Sequence, residues 1–304
     1  MAKKLRTVLS LFDGMSCGQI ALKELGIEFD AYYASEIDKN AIANAQLNFP
    51  NTIQLGDVER WREWDIDWSK VDLILAGSPC QGFSTQGSCR AFNDPRSRLY
   101  WAFSDVLKHT IKHNPNCKYL LENVALPSKY ETIINYDLGC IPKRINSSCV
   151  SAQNRTRLYW SNIRSKYDTT IFLNRFDIPV PTDRHIKLKD IEDAANVDSS
   201  LYTQKFNGYR ERQIGDHLMI DFPFVSEGYV GLPDGKVQTL RTVCASNFFY
   251  KDSKGIRRYT ITELRRMQTI PDWVSFGQLS RSNIGKLIGN GWTVDVIKHI
   301  LSYL

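Results

Sequence analysis

Long apolar runs are missing from this 304-residue chain. The N-terminus is basic (Met-Ala-Lys-Lys-Leu-Arg), but the apolar run behind it, Val8 to Phe12, is too short for a signal peptide or a membrane span. A cytoplasmic setting with no membrane partner is expected. Paired cysteines are missing as well. The seven, at 17, 80, 89, 117, 140, 149 and 244, are odd in number and never spaced Cys-x-x-Cys. Neither a disulfide framework nor a zinc site is indicated, so reduced thiols and no metal are expected. Internal repeats and low-complexity tracts are absent, and so is a complete Gly-x-Gly-x-x-Gly fingerprint. Net charge is only +6. Its distribution says more. Residues 257–304 hold seven basic side chains against three acidic ones, and Arg241 to Arg266 hold seven against Asp252 and Glu263. Such an excess suits a polyanion, although a solvated helix face gives the same count.

What is present is a series of short apolar runs, each ending in a polar residue. Residues 6–12 read as a strand, followed by the small-residue turn Asp13-Gly14-Met15-Ser16-Cys17-Gly18 and a helix to Leu25. Strand, glycine turn and helix open a nucleotide-binding α/β unit. Ala31 to Ser35 reads as a second strand ending at Glu36, and Asp38 caps the next helix. A third short strand leads to Asp57-Val58. Val71 to Ala76 is a continuous apolar run, read as a buried strand, with Ser78-Pro79-Cys80 behind it. Proline fixes its own φ and pushes the residue before it out of the helical region, so the Cys80 thiol sits on a stiff turn at a strand's carboxyl end. Lone cysteines are more often small buried hydrophobes, and this stretch alone leaves both readings open. Residues 81–95 read as a loop, and 97–113 as a helix. Tyr119 to Leu121 is a fifth strand ending in Glu122-Asn123-Val124. Residues 145–150 and 155–160 read as further strands. Gln153, Arg155 and Arg157 alternate, which on an extended chain sets them on one face. From 166 to 256 periodicity weakens and turn residues accumulate. Helices are expected again over 262–269 and from Val294 onward.

In that order, Phe12-Asp13-Gly14, Glu36, Asp57, Ser78-Pro79-Cys80-Gln81, Glu122-Asn123-Val124, Gln153-x-Arg155-x-Arg157 and Gly289-Asn290 resemble the DNA (cytosine-5)-methyltransferases. The similarity covers the chain apart from the middle of 165–255. It implies an α/β, Rossmann-like S-adenosylmethionine-dependent methyltransferase fold with a small irregular target-recognition domain. The implied domains are 1–165 (catalytic and cofactor-binding), 166–256 (target recognition) and 257–304 (return to the catalytic domain). The implied cofactor is S-adenosyl-L-methionine, leaving S-adenosyl-L-homocysteine. Phe12, Asp13, Gly14, Glu36, Ile37, Asp57, Val58, Ser78, Pro79, Asn290 and Trp292 would hold it. Cys80 would be the nucleophile, with Glu122 gripping the base and Arg155 and Arg157 as the catalytic pair that contacts base and phosphate. Gln81, Ser84, Gln153, Thr239, Arg241, Arg257 and Arg258 would meet double-stranded DNA. A restriction endonuclease of matching specificity is the implied partner of an enzyme expected to be monomeric. The turn departs from the usual Phe-Ala-Gly-x-Gly-Gly, and Gly291-Trp292 stands where Ser-Val is usual. Both look like the eukaryotic de novo DNA methyltransferases.

The implied chemistry explains the residue types. A thiolate adding to carbon 6 of cytosine makes carbon 5 nucleophilic enough to take a methyl group. The base must first leave the duplex stack. Three other readings compete. A tRNA-methylating relative would carry Pro-Pro-Cys and Cys-Phe-Thr, which are absent. A silent DNA-binding relative would lack Cys80 or Glu122. A dehydrogenase would need the full glycine fingerprint.

Overall fold

The computed structural model of the protein describes residues 4–79, 98–202, 210–214, 217–222, 225–243 and 248–304. Cys80, Gln81, Ser84 and the 81–95 loop lie outside the described residues. The chain forms two compact units.

The first unit comprises Met1–Ile145, Thr156–Val180 and Ile297–Leu304. Its centre is a seven-stranded sheet. In chain order the strands of this region are β1 (Leu5–Leu11), β2 (Phe29–Ser35), β3 (Ile53–Gln54), β4 (Val71–Gly77), β5 (Lys118–Val124), β6 (Cys140–Ile141), β7 (Lys143–Asn146), β8 (Gln153–Asn154) and β9 (Thr156–Ser161). The spatial order is β3-β2-β1-β4-β5-β9-β7. The pairs from β3 through β5 are parallel, and β9 joins β5 antiparallel. Val8, Leu9 and Leu11 on β1, Leu73 to Ala76 on β4 and Leu120–Leu121 on β5 are fully buried. Both faces of these strands are covered, which is why they read as unbroken apolar runs rather than as alternation. Helices α1 (Cys17–Glu24), α2 (Lys39–Asn48), α3 (Arg98–His113) and α4 (Ser128–Leu138) connect them. Asp38 caps α2 by accepting from the N–H groups of Asn40 and Ala41, as its sequence position predicts. Tyr100, Phe103, Val106, Leu107 and Thr110 are the buried face of α3.

Two strand expectations shift. Residues 147–149 form a 3₁₀ turn instead of continuing a strand, because the Asn146 carboxamide accepts from Ser148 N–H and closes the chain on itself. Residues 166–180 stay with the first unit rather than beginning a second. There β10 (Ser165–Asp168) pairs with β11 (Leu173–Phe176), and β11 pairs with β6.

The second unit comprises Asn146–Arg155 and Pro181–Val296. It carries a five-stranded sheet of β12 (Arg210–Ile214), β13 (His217–Phe222), β14 (Val225–Gly231), β16 (Phe248–Asp252) and β17 (Gly255–Arg258). A separate pair joins β8 to β15 (Val237–Gln238). Helices α5 (Ile261–Met267) and α6 (Arg281–Asn290) follow, and α7 (Val294–Leu301) ends the chain. Helix α5 opens with a reciprocal cap: Thr260 Oγ1 accepts from Glu263 N–H, and Glu263 accepts from Thr260 N–H. Among the described residues, no helix is long and apolar enough to cross a membrane.

Candidate active site

Parallel pairing sets the carboxyl ends of β1 to β5 along one edge of the first unit's sheet, the edge where ligands settle in open α/β folds. Register fixes which residues meet there. Leu11 pairs with Ser35 and with Ala76, so Phe12 and Glu36 emerge side by side, with Gly77 beyond. Gly77 pairs with Glu122, three residues before Cys80.

Glu36 is held by the backbone. Its carboxylate accepts from Gly14 N–H at 2.8 Å, from Ile37 N–H at 2.7 Å and from Asp38 N–H at 2.8 Å. A carboxylate has about four acceptor sites, so this one is oriented and still has room for a hydroxyl. Phe12 has φ +57° and Gly14 φ +58°, and the space where a Gly14 side chain would stand is open. Ile37, next to Glu36, is 72% exposed. Asp57 Oδ1 accepts from Glu59 N–H at 3.0 Å and caps a 3₁₀ turn, while Val58 is buried. Asp13 Oδ1 accepts from the Tyr32 hydroxyl at 2.9 Å. Its Oδ2 is shut off from solvent and has no hydrogen-bond partner. Burial pushes the Asp13 carboxyl up to about 6; hydroxyls of Ser10, Ser16 and Tyr32 offset this in part, and the Glu36 charge adds to it. Open space at the turn, a Glu36 carboxylate with spare acceptor capacity, an exposed apolar side chain and the negative charge of Asp13 beside them fit a nucleoside ligand that carries positive charge.

On the other side of Ser78, Glu122 and Arg157 form an ion pair, Nε to Oε1 at 2.9 Å, largely out of solvent. The antiparallel register pairs Glu122 with Tyr159 and Val124 with Arg157. Arg157 is therefore the diagonal neighbour of Glu122 on the same face of the sheet. Asn123 adds a contact that sequence reading missed. Its Nδ2 donates to Ser78 Oγ at 2.9 Å, and its Oδ1 accepts from Val124 N–H at 2.8 Å. Both side chains are buried. The end of β5 is thereby tied to the residue two places before Cys80, next to Pro79.

Three residues expected to meet DNA or the base have other work. Gln153 is 0% exposed; it donates to Met267 O at 3.1 Å and accepts from Leu240 N–H at 2.8 Å. Arg155, 4% exposed, donates to the carbonyls of Leu240, Gly289 and Gly291 at 3.1, 3.4 and 3.0 Å. Arg257 is 0% exposed, pairs with Asp252 at 2.9 Å and Glu263 at 2.8 Å, and lies over the Tyr250 ring. Buried and fully engaged, none of these side chains is available to a phosphate or base. The expected single face for Gln153, Arg155 and Arg157 is also corrected: β8 ends before Arg155 and β9 begins after it, so Gln153 and Arg155 brace the second unit while Arg157 serves the first.

Of the others in the second unit, Arg241 is exposed and Arg258 half-exposed. Thr239 donates its hydroxyl to Asn154 O at 2.7 Å. Asn290 is exposed at the end of α6, and Trp292 is half-buried. Helix α6 was not expected. Its signal is in the sequence: Ser280 as cap, with Ile284, Leu287 and Ile288 at helical spacing.

Comparison with known proteins bears on the family and the fold. The family model for C-5 cytosine-specific DNA methylase matches residues 6–304. The type II methyltransferase M.Bsp6I of Bacillus sp. (strain RFL6) is 25% identical, over 96% of this chain and 96% of its own. The type II methyltransferase M.HaeII of Haemophilus aegyptius is 26% identical, over 98% of this chain and 92% of its own. Among solved structures, the Dnmt2 methyltransferase of S. pombe superposes with TM-score 0.70 at 17% identity, over 98% of this chain and 97% of that one, a likeness of fold.

Proposed function

The chain belongs to the C-5 cytosine-specific DNA methylases, and on that premise we propose how its own residues carry a methyl group to carbon 5 of cytosine in double-stranded DNA. S-adenosyl-L-methionine supplies the electrophilic methyl when bound. Glu36 takes ribose hydroxyls, and Asp57 and Val58 meet the adenine, with Phe12 and Ile37 against its faces. Asp13, Gly14, Ser78 and Pro79 line the remaining length of the ligand. Cys80, as thiolate, adds to carbon 6 of the flipped cytosine. Carbon 5 then takes the methyl as the methyl to sulfonium bond breaks, leaving S-adenosyl-L-homocysteine; a base removes the carbon 5 proton, and the carbon 6 to sulfur bond breaks to release Cys80. Glu122 meets N3 and the exocyclic amine of the base, and Arg157 fixes the position of its carboxylate. Gln81 and Ser84, which follow Cys80 in the chain, approach the DNA. Arg241 and Arg258 contact phosphates, which position the protein without reading sequence; Thr239 stands in the segment 238–249, which we assign to reading the bases.

The single observation that carries this reading is the Glu122–Arg157 pair at the carboxyl end of β5, opposite the strand that leads to Ser78-Pro79-Cys80. The type II relatives support pairing with a restriction endonuclease of matching specificity, and we take the enzyme to act as a monomer.

The test uses labelled S-adenosyl-L-methionine with duplex DNA and, separately, tRNA, for wild type and Cys80→Ser. Wild type is expected to label DNA at carbon 5 of cytosine, and the serine variant to label nothing. Labelling of tRNA alone would replace DNA as the substrate. Full transfer by the serine variant would remove Cys80 from its role.

A further inference from the structure

Asp13 stands where the family's usual turn has Ala, and its setting is unfavourable for a carboxylate. Tyr32 of β2 donates to Oδ1 at 2.9 Å, while Oδ2 is shut off from solvent with no partner. Glu36, at the end of β2, brings a second carboxylate to the same strand edge, anchored to this turn through Gly14 N–H at 2.8 Å. Shielding a carboxylate from water beside another negative charge, with hydroxyls and no cation to compensate it, costs stability, and an Ala here would avoid that cost. What such a position gains is attraction for a cation. The methyl donor carries a positively charged sulfonium. The product of transfer is a neutral thioether of nearly the same shape.

We propose that Asp13 reads that difference in charge, holding cationic S-adenosyl-L-methionine in preference to S-adenosyl-L-homocysteine. Methyl transfer then removes the attraction at the moment the product has to leave. This rests on the reading of the strand-end pocket as the cofactor site. Shape contacts to adenine and ribose are common to both ligands and cannot separate them; a buried unit charge can, because attraction between charges is strong where water is excluded. Tyr32 and Glu36 are the titratable groups that bear on Asp13, and Ser10 and Ser16 contribute hydroxyls. With its carboxyl pushed up to about 6, Asp13 is ionised at pH 7.5 and protonated at pH 5.0. The preference therefore belongs to the higher pH.

Calorimetric titration of the full chain, without DNA, measures both affinities at pH 7.5 and 5.0 for wild type, Asp13→Asn and Asp13→Ala. At pH 7.5 wild type is expected to favour the donor over the product by about tenfold. The ratio should fall toward one at pH 5.0. It should be small and independent of pH in Asp13→Asn, which keeps an acceptor for the Tyr32 hydroxyl. A variant that binds both ligands with the wild-type ratio overturns the proposal, and so does a wild-type ratio that ignores pH. The pH series on wild type decides the matter even if both variants misfold. Failure of wild type to bind either ligand would instead overturn the assignment of the pocket.

Discussion

Asp13, half-buried, and Arg257, fully buried, are two charges with opposite consequences. Arg257 is surrounded by the carboxylates of Asp252, Glu263 and Glu192 and lies against an aromatic ring, so its burial is compensated. Asp13 has no cation beside it, only the hydroxyls of Tyr32, Ser10 and Ser16, and burial raises its carboxyl from 3.8 to about 6. A raised carboxyl pKa means that the folded chain holds the proton more tightly than the unfolded one. Ionisation therefore costs stability in full above pH 6, and the cost vanishes below the unfolded value of 3.8. Between pH 4 and pH 7 the stability of Asp13→Asn relative to wild type should rise by up to about 3 kcal/mol, as a shift of roughly two pKa units implies. Urea denaturation at a series of pH values measures it, and a difference flat with pH would contradict it. The acids at the strand ends were legible in the sequence because each is a local pattern: a short apolar run, then a carboxylate. The fates of Gln153, Arg155 and Arg257 were not. Their partners lie up to 136 residues away, and an arginine bound for a carbonyl cage looks in sequence like one bound for a phosphate.

Two elements depend on close contacts that no local pattern announces. Helix α6 ends at Gly289-Asn290, read in the sequence only as a motif. A side chain at Gly289 would place its Cβ 2.2 Å from the Arg241 carbonyl oxygen and 2.8 Å from Thr242 N. Backbone meets backbone there, and neither can swing aside. Gly289→Ala should destabilise the protein by about 2 kcal/mol or more, read as a lower midpoint in chemical denaturation. Near wild-type stability would mean that this approach is looser than it stands. The second contact is the Asn123–Ser78 tie between β5 and β4. It holds the turn before Cys80 to the strand that carries Glu122. Asn123→Ala should lower kcat at least about tenfold with a smaller change in KM for DNA, because it moves catalytic groups and leaves the DNA-contacting side chains alone. Equal loss in both parameters would instead indicate general damage to the fold.

At the scale of the whole molecule, the sequence conveyed the α/β class, the parallel strand series and the order of the motifs. These follow from the periodicity of apolar runs and from the spacing of polar residues behind them. It did not convey where one compact unit gives way to the other. Residues 146–155 and 257–296 enter the second unit through contacts such as Gln153 to Met267 and Arg155 to Gly291, which sequence spacing does not reveal. The basic excess after Arg241 divides in the same way. Arg241→Ala should weaken DNA binding equally for all sequences and reduce the slope of log affinity against log salt by about 0.9. Arg257→Ala should lower the melting temperature instead. Filter-binding across a salt series, beside thermal melts, separates the two.

The central claim is that this chain methylates cytosine in DNA through a covalent bond from Cys80. A duplex carrying 5-fluorocytosine tests it most directly, because fluorine replaces the proton whose removal frees the enzyme. With S-adenosyl-L-methionine present, intact-mass measurement should show protein, oligonucleotide and one methyl group joined, with the attachment in the peptide containing Cys80 and no adduct from Cys80→Ser. Absence of an adduct with duplexes of every sequence, or an adduct at another residue, would contradict the account.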